Sequence, residues 1–538
     1  MTQVITRRNL LAGAATGTAL LVAGCSGDPA PSTPPAPLPP DASETPSVDP
    51  NTHRVLTRTP ASDVVIPPGP HGALTASRAV LAAATAVVVV AEDASPAASP
   101  QATATAEATA SPDPASTAGP TPEPRGNPHD VAAALARELG IPLFADSPDL
   151  PAELDRLQTR TVFAYGTPQH VGDREVLPAP ASAAEVDLPG LPAEVVAPAV
   201  LPLVAGDLDP LTGATLLAAK LTTAPTLIGP HPGVDAESTA RVKAHQGPVL
   251  GIGDGFGTDA QFAGQVETTR TAGELPGGGI APFPGRHMIA LYGHPQTPAL
   301  GMMGEQPPAQ AVERLNKLVA EYREHAPHLN PIGAFEIIAT VASGQAGEDG
   351  DYSYETPIDL LMPWIEAAEA NDIYVVLDLQ PGRTDFLTQA KRYEELLRRP
   401  WVGLALDPEW RLKPDQRHLR QIGQVHVDEV NQVGAWLADL VAQHKLPPKV
   451  LTLHQFQTRM ILERAKLDTS RPEVQYLVHV DGQGAQGAKQ ATWGVIKRDL
   501  PPHVWLGWKN FEDEDIPMLT PKQTIDRVEP APHFISYQ

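Results

Sequence analysis

Cysteine is almost missing from the 538 residues: there is one. A single thiol excludes a disulfide framework and any thiolate cluster for zinc or iron–sulfur, since each needs several sulfurs. Basic residues are also in short supply, 39 Lys and Arg against 63 Asp and Glu, for a formal charge of −24. Nucleic acid is therefore not an expected partner, because it calls for a basic face that releases phosphate counterions. No Gly-x-Ser-x-Gly run occurs, so no serine nucleophile elbow is expected. No segment beyond the first 25 residues approaches the roughly 20 apolar residues that span a bilayer. Proline is the residue in excess, 60 of 538, about twice the ordinary share of roughly 5%. Part of the chain is accordingly linker or loop.

The lone Cys25 follows a charged head, Thr6-Arg7-Arg8-Asn9-Leu10-Leu11, and an apolar run of small residues from Leu10 to Ala23. That is the layout of a signal peptide, and the run is too short and too rich in Gly and Thr for a membrane span. Arg7-Arg8 resembles the twin-arginine export signal, and Leu21-Val22-Ala23-Gly24-Cys25 resembles a bacterial lipobox. The resemblance implies that residues 1–24 are removed, that Cys25 is lipidated, and that the protein is tethered to the outer face of the cell membrane. Twin-arginine export further implies folding before crossing. Residues 25–60, made mostly of Pro, Ser, Thr, Ala and Asp, read as a disordered spacer.

Residues 61–275 read as a parallel α/β layer, because buried strands alternate with helices. The expected elements are a helix over 73–84, a strand over 86–91, a helix over 129–139, and strands over 141–145 and 161–165. A weaker echo follows, with helices over 211–221 and 235–245 and strands over 225–228 and 248–252. A Pro-rich stretch, 94–124, reads as a disordered insertion. The helix ahead of VVVVAED (87–93), Gly140-Ile141-Pro142-Leu143, and ELDRL (153–157) leading into TVFAYG (161–166) together resemble the type-2 cell-wall-binding repeat of Gram-positive surface proteins. The resemblance spans about 60–255, as one fair and one eroded copy, and implies attachment to cell-wall polymer. Acidic charge here works against an anionic wall polymer unless cations bridge the two. The glycines of Gly251-Ile252-Gly253-Asp254-Gly255-Phe256-Gly257 are read as a turn, since no helix with a Lys or distal ribose-binding acid follows.

In residues 276–538 strand signals recur at 288–292, 335–340, 374–379, 402–406, 450–453, 476–480, 504–508 and 533–537. Helical patterns, such as 309–325, 357–370, 385–398 and 427–444, fill the intervals. Eight strands with intervening helices over this length match a TIM (β/α)8 barrel. The expected fold class is thus α/β, an N-terminal parallel repeat-like region followed by a C-terminal TIM barrel.

Functional groups of such barrels lie at the C-terminal ends of the strands. Those ends carry His294, Thr340, Asp378, Gln380, Asp407, Glu409, His454, Gln455, His479, Asp481, Gln483 and Lys509. On the fourth strand, Gly403, Ala405, Asp407 and Glu409 share one face by the two-residue period, and Leu404 and Leu406 share the other. Two such acids would stand about 6–7 Å apart along an extended strand, close enough to raise one carboxyl's pKa and keep it a proton donor. Gly403-Leu404-Ala405-Leu406-Asp407-Pro408-Glu409-Trp410 resembles the fourth-strand signature of family-18-like glycoside hydrolases. The resemblance implies that Glu409 is the general acid and that Asp407 tunes it, with Asp481 positioning substrate. Ala405 replaces the outer acid of that signature, which leaves room for a two-carboxylate scheme using Glu409 with Asp378 or Asp481. Trp410, Gln380, His454 and Lys509 are the expected substrate contacts, and no metal or cofactor is expected.

Three alternatives remain open on the residues. Asp407 and Glu409 would form a rim ion-pair network with Lys509 or Arg383. The barrel would be non-catalytic, a glycan-binding surface module. Or His294, His454 and His479 would join Asp407 around a metal, since imidazole and carboxylate are ordinary ligands. Glu512-Asp513-Glu514-Asp515 reads as a solvated acidic loop.

Overall fold

The structure is a computed structural model that describes residues 52–94, 127–191, 195–223 and 226–538. The expected signal peptide, Cys25, residues 25–51 of the expected spacer and residues 95–124 of the expected insertion lie outside the described residues. Among the described residues no helix is long and apolar enough to cross a membrane. The chain divides into two compact units. One is drawn from Ala30–Pro230 and His245–Gly264, and the other contains His231–Ala244 and Gln265–Gln538.

The N-terminal unit is parallel α/β. Ala86–Val90, AVVVV, is buried along its whole length, as suits a strand covered on both faces. It pairs in parallel with Leu143–Ala145 and Thr161–Tyr165, and the latter pairs with Glu175–Pro178. The helix Pro128–Leu139 begins where the Asn127 side chain accepts the His129 N–H and ends at Gly140, whose φ of 68° suits glycine. A second parallel sheet joins Val64–Ile66, Val249–Ile252 and Leu201–Val204. The helix expected over 73–84 is Pro70–Val80. Its alanine-rich tail, Leu81–Ala84, instead pairs antiparallel with Val55–Thr57, where sheet hydrogen bonds outweigh helix propensity. Folded structure thus begins inside the stretch read as spacer. Of the strand expected over 225–228, the described residues keep a bridge between Leu227 and Ala205.

Glu153, at 1% exposure, is the buried acid of this unit. Arg156 donates to it from Nη2 at 2.6 Å and from Nε at 3.0 Å, Arg78 from Nε at 3.3 Å, and the Ser77 hydroxyl hydrogen-bonds it as well.

The second unit is a closed barrel of eight parallel strands: His287–Gly293, Pro331–Ala342, Tyr374–Leu379, Val402–Leu406, Lys449–Gln455, Val474–Val480, Trp505–Asn510 and Phe534–Tyr537. Each pairs with its neighbour, and the first strand closes the ring on the last, Met288 opposite Phe534. All eight expected strands are present. Outward-facing Leu404 and Leu406 join the large apolar cluster beneath the surrounding helices, among them Pro308–His325, Ile358–Ala370 and Val427–His444.

The barrel interior is layered. Met288, Ile332, Tyr374, Val450, Leu477 and Phe534 form an apolar cluster with the smaller Ala290, Ala334, Val376 and Ala405. Counting two residues onward along six of the strands leads from this plug to Tyr292, Glu336, Asp378, Asp407, His479 and Ser536; His454 lies one further step along its strand, past Thr452, and Lys509 follows Gly507. Inside the barrel the chain thus changes from hydrocarbon to polar groups within one step of the pleat on most strands.

Candidate functional site at the barrel mouth

His454, from the fifth strand, is the hub of that polar layer. Its Nε2 lies 2.9 Å from Glu336 Oε1 and its Nδ1 lies 3.1 Å from Asp481 Oδ2. Asp378 Oδ1 is 3.8 Å from the same Nε2. His479 stands beside it, ring centroids 4.9 Å apart. The His479 Nδ1 is 3.3 Å from Glu336 Oε1 but not aligned as a hydrogen bond, and its Nε2 meets Ser536 Oγ at 3.1 Å. Tyr292 donates its hydroxyl to Asp378 Oδ2 at 2.8 Å, and Lys509 Nζ sits 3.1 Å over the Tyr292 ring. Gly507 makes room for this arrangement. A Cβ there would come within 3.0 Å of His479 Cδ2 and of a Leu477 methyl.

Electrostatics follow from burial and crowding. Burial raises the Asp407 carboxyl well above its ordinary range, and the neighbouring Glu409 charge adds to the rise. Burial likewise lifts Asp378 to about 6, with Glu336 adding to the rise and His454 opposing it. For His454 burial works downward, but Asp378, Glu336 and the bond to Asp481 overcome it and hold the imidazolium well above 6.5. Glu336 shows the reverse balance: burial favours its neutral form, yet the two adjacent imidazoles bring it below the usual carboxylate range. His479 is lowered, since burial outweighs the pull of Glu336. Acids outnumber bases in a volume with almost no water contact, and several polar atoms there make no hydrogen bond: Glu336 Oε2, Asp378 Oδ1 and His479 Nδ1.

Asp378, Asp407, His454, Asp481 and Lys509 all belong to this mouth, as their strand positions required. Glu409 departs from the expected geometry. The fourth strand ends at Leu406, and Pro408–Trp410 is a single 3-10 turn whose Glu409 N–H is accepted by Asp407 Oδ1 at 3.3 Å. The proline starts a turn, so the two-residue alternation stops at Asp407. Both acids remain buried. Trp410 is buried too, its ring 5.4 Å from that of His418. Gln380 uses its carbonyl on Ala342 N and faces the Tyr292 hydroxyl at 3.5 Å. His454 has no exposed surface, and both of its nitrogens face carboxylates, so its direct neighbours are acids rather than solvent.

The other groups fall elsewhere. His294 bonds Thr356 Oγ1 and the Gln296 N–H and is lowered by burial to about 4. Arg383 serves Gln416 O and the Tyr352 ring. Asp515 is not solvated as expected: it is buried, pairs with Lys489 Nζ at 2.6 Å and accepts the Gly484 N–H.

Tyr292 and Glu336 escaped the sequence reading. Glu336 was detectable as the one charge in the apolar run Ala334-Phe335-Glu336-Ile337-Ile338. Comparison with known proteins adds no assignment: no protein-family model matches the chain, and no curated protein matches it.

Proposed function

We propose that this protein is a glycoside hydrolase of the cell surface, exported and tethered by lipid at Cys25, acting on an envelope or environmental polysaccharide. The N-terminal unit would bind wall polymer. One observation carries the catalytic part: Asp407 and Glu409 are buried together where the fourth strand ends. Glu409 delivers a proton to the glycosidic oxygen as the C–O bond breaks. Water adds to the anomeric carbon and yields its own proton to Asp481 or Asp378. Gln380, Lys509 and Trp410 carry groups suited to sugar hydroxyls or ring faces.

Incubation of the purified protein with a panel of envelope and fungal polysaccharides, read as new reducing ends, tests the reading. Glu409→Gln is expected to lower hydrolysis by about 10²–10⁴-fold, the range of a general acid. Hydrolysis unchanged by that substitution would sink the assignment.

A further inference from the structure

We infer that the barrel binds a divalent first-row transition metal between Glu336, His454 and His479. This goes beyond the glycosidase reading and does not depend on it, since Glu336 and His479 have no part in the proton transfers above. The three side chains come from the second, fifth and sixth strands, all fully buried, and one donor atom from each lies within 4.8 Å of the others.

The orientation of the rings is the first argument. His454 Nε2 and His479 Nδ1 turn toward the same carboxylate oxygen, Glu336 Oε1, at 2.9 and 3.3 Å. Their opposite nitrogens are held from behind, His454 Nδ1 by Asp481 and His479 Nε2 by Ser536. Metal-binding histidines are oriented in this way, with the far ring nitrogen tied to a carboxylate or another oxygen.

The second argument is independent of the first. Glu336 Oε2, His479 Nδ1 and Asp378 Oδ1 are buried and make no hydrogen bond. A buried polar atom left without a hydrogen bond is costly, and native proteins hold few of them. Glu336 and His479 belong to the same cluster of donors, and their unbonded oxygen and nitrogen present lone pairs to a cation. A proton shared between Glu336 and the histidines satisfies only part of this set. Imidazole with carboxylate is a donor set for zinc, cobalt, manganese or iron rather than for calcium. The metal centre weighed on the sequence is thus recast, with Glu336 in the place expected for His294.

The test reads metal content rather than activity, so its failure is separate from that of the glycosidase reading. The full protein is stripped with chelator, loaded with Zn2+ or Co2+, passed over a desalting column and assayed by elemental analysis. About one equivalent is expected to remain, with a visible d–d band for Co2+. Glu336→Gln and His479→Asn are expected to lose the bound ion. Ser536→Ala, which trims only a hydroxyl behind His479, is expected to weaken affinity about tenfold, and it keeps the test open if the ligand variants fold poorly. His294→Asn is expected to retain full uptake. Folded parent protein that keeps neither ion, or uptake indifferent to Glu336→Gln, His479→Asn and Ser536→Ala, would overturn the inference.

Discussion

Glu153 in the N-terminal unit and Glu336 in the barrel are both withdrawn from water, at 1% and 0% exposure. Around Glu153 every demand is met: two guanidiniums and a hydroxyl converge on its two oxygens. Around Glu336 one oxygen is shared by two imidazoles and the other has no hydrogen bond, while further acids crowd the same layer. An acid kept for architecture is paired with strong, always-charged donors. An acid surrounded by titratable partners and other acids stabilises the fold less, and the arrangement makes sense when something else arrives to complete it.

The contrast is sharpest under neutralising substitution. Glu153→Gln leaves Arg78 and Arg156 beside an uncharged amide and is expected to cost about 3 kcal/mol in denaturant unfolding. Glu336→Gln, measured on metal-free protein, takes a partner from His454 but also removes one of several crowded acids, opposing effects that are expected to leave a smaller loss than Glu153→Gln. Equal losses from the two would erase the distinction. Tyr292→Phe, which takes a donor from buried Asp378, is expected to cost about 1–2 kcal/mol.

Titration separates the barrel acids by sign. Asp378 has its folded pKa raised to about 6 from an ordinary 3.8. Its contribution to stability is present below about 4 and is lost as pH climbs toward 6. Glu336, lowered on folding, contributes in the opposite sense, present above 4.5 and lost as pH falls. Asp378→Asn is therefore expected to make the barrel melt at a higher temperature, relative to the parent, as pH rises from 4 to 6. A parent and variant with parallel pH profiles would refute the burial account. Gly507→Ala is expected to cost about 1 kcal/mol, because the added methyl meets His479 and Leu477 at 3.0 Å.

How much of this was legible in the sequence depended on where apolar runs stop. The eight barrel strands were readable because each is a short apolar run closed by a polar residue, and the strand-end rule then found Asp378, Asp407, His454, His479, Asp481 and Lys509. It failed at Glu336 because the second strand is long. Pro331–Ala342 runs past the polar layer and pairs at its tip with Ser353–Glu355, so the level of the mouth falls mid-strand and not at the end. It failed at Tyr292 because an aromatic residue inside a strand reads as core, and His294 lies two residues further on. The turn at Pro408 was visible as a proline, but its effect on Glu409 was not, since periodicity carries no information once the strand has ended. In the N-terminal unit, the alanines of 81–84 favour helix locally, and only pairing with Val55–Thr57 decides otherwise.

Ring closure has a kinetic consequence. The seam of the barrel joins Met288 to Phe534, a separation of 534 − 288 = 246 residues. Loop-closure entropy must be met before so distant a contact yields any return, and topologies of this kind fold slowly. The same closing strand carries Ser536 to His479. Refolding followed by hydrogen exchange should therefore show protection at Ile289–Leu291 and Ile535–Tyr537 arriving together. The acids and histidines become a site only at that moment, so an open barrel is a chain of correct strands with no chemistry.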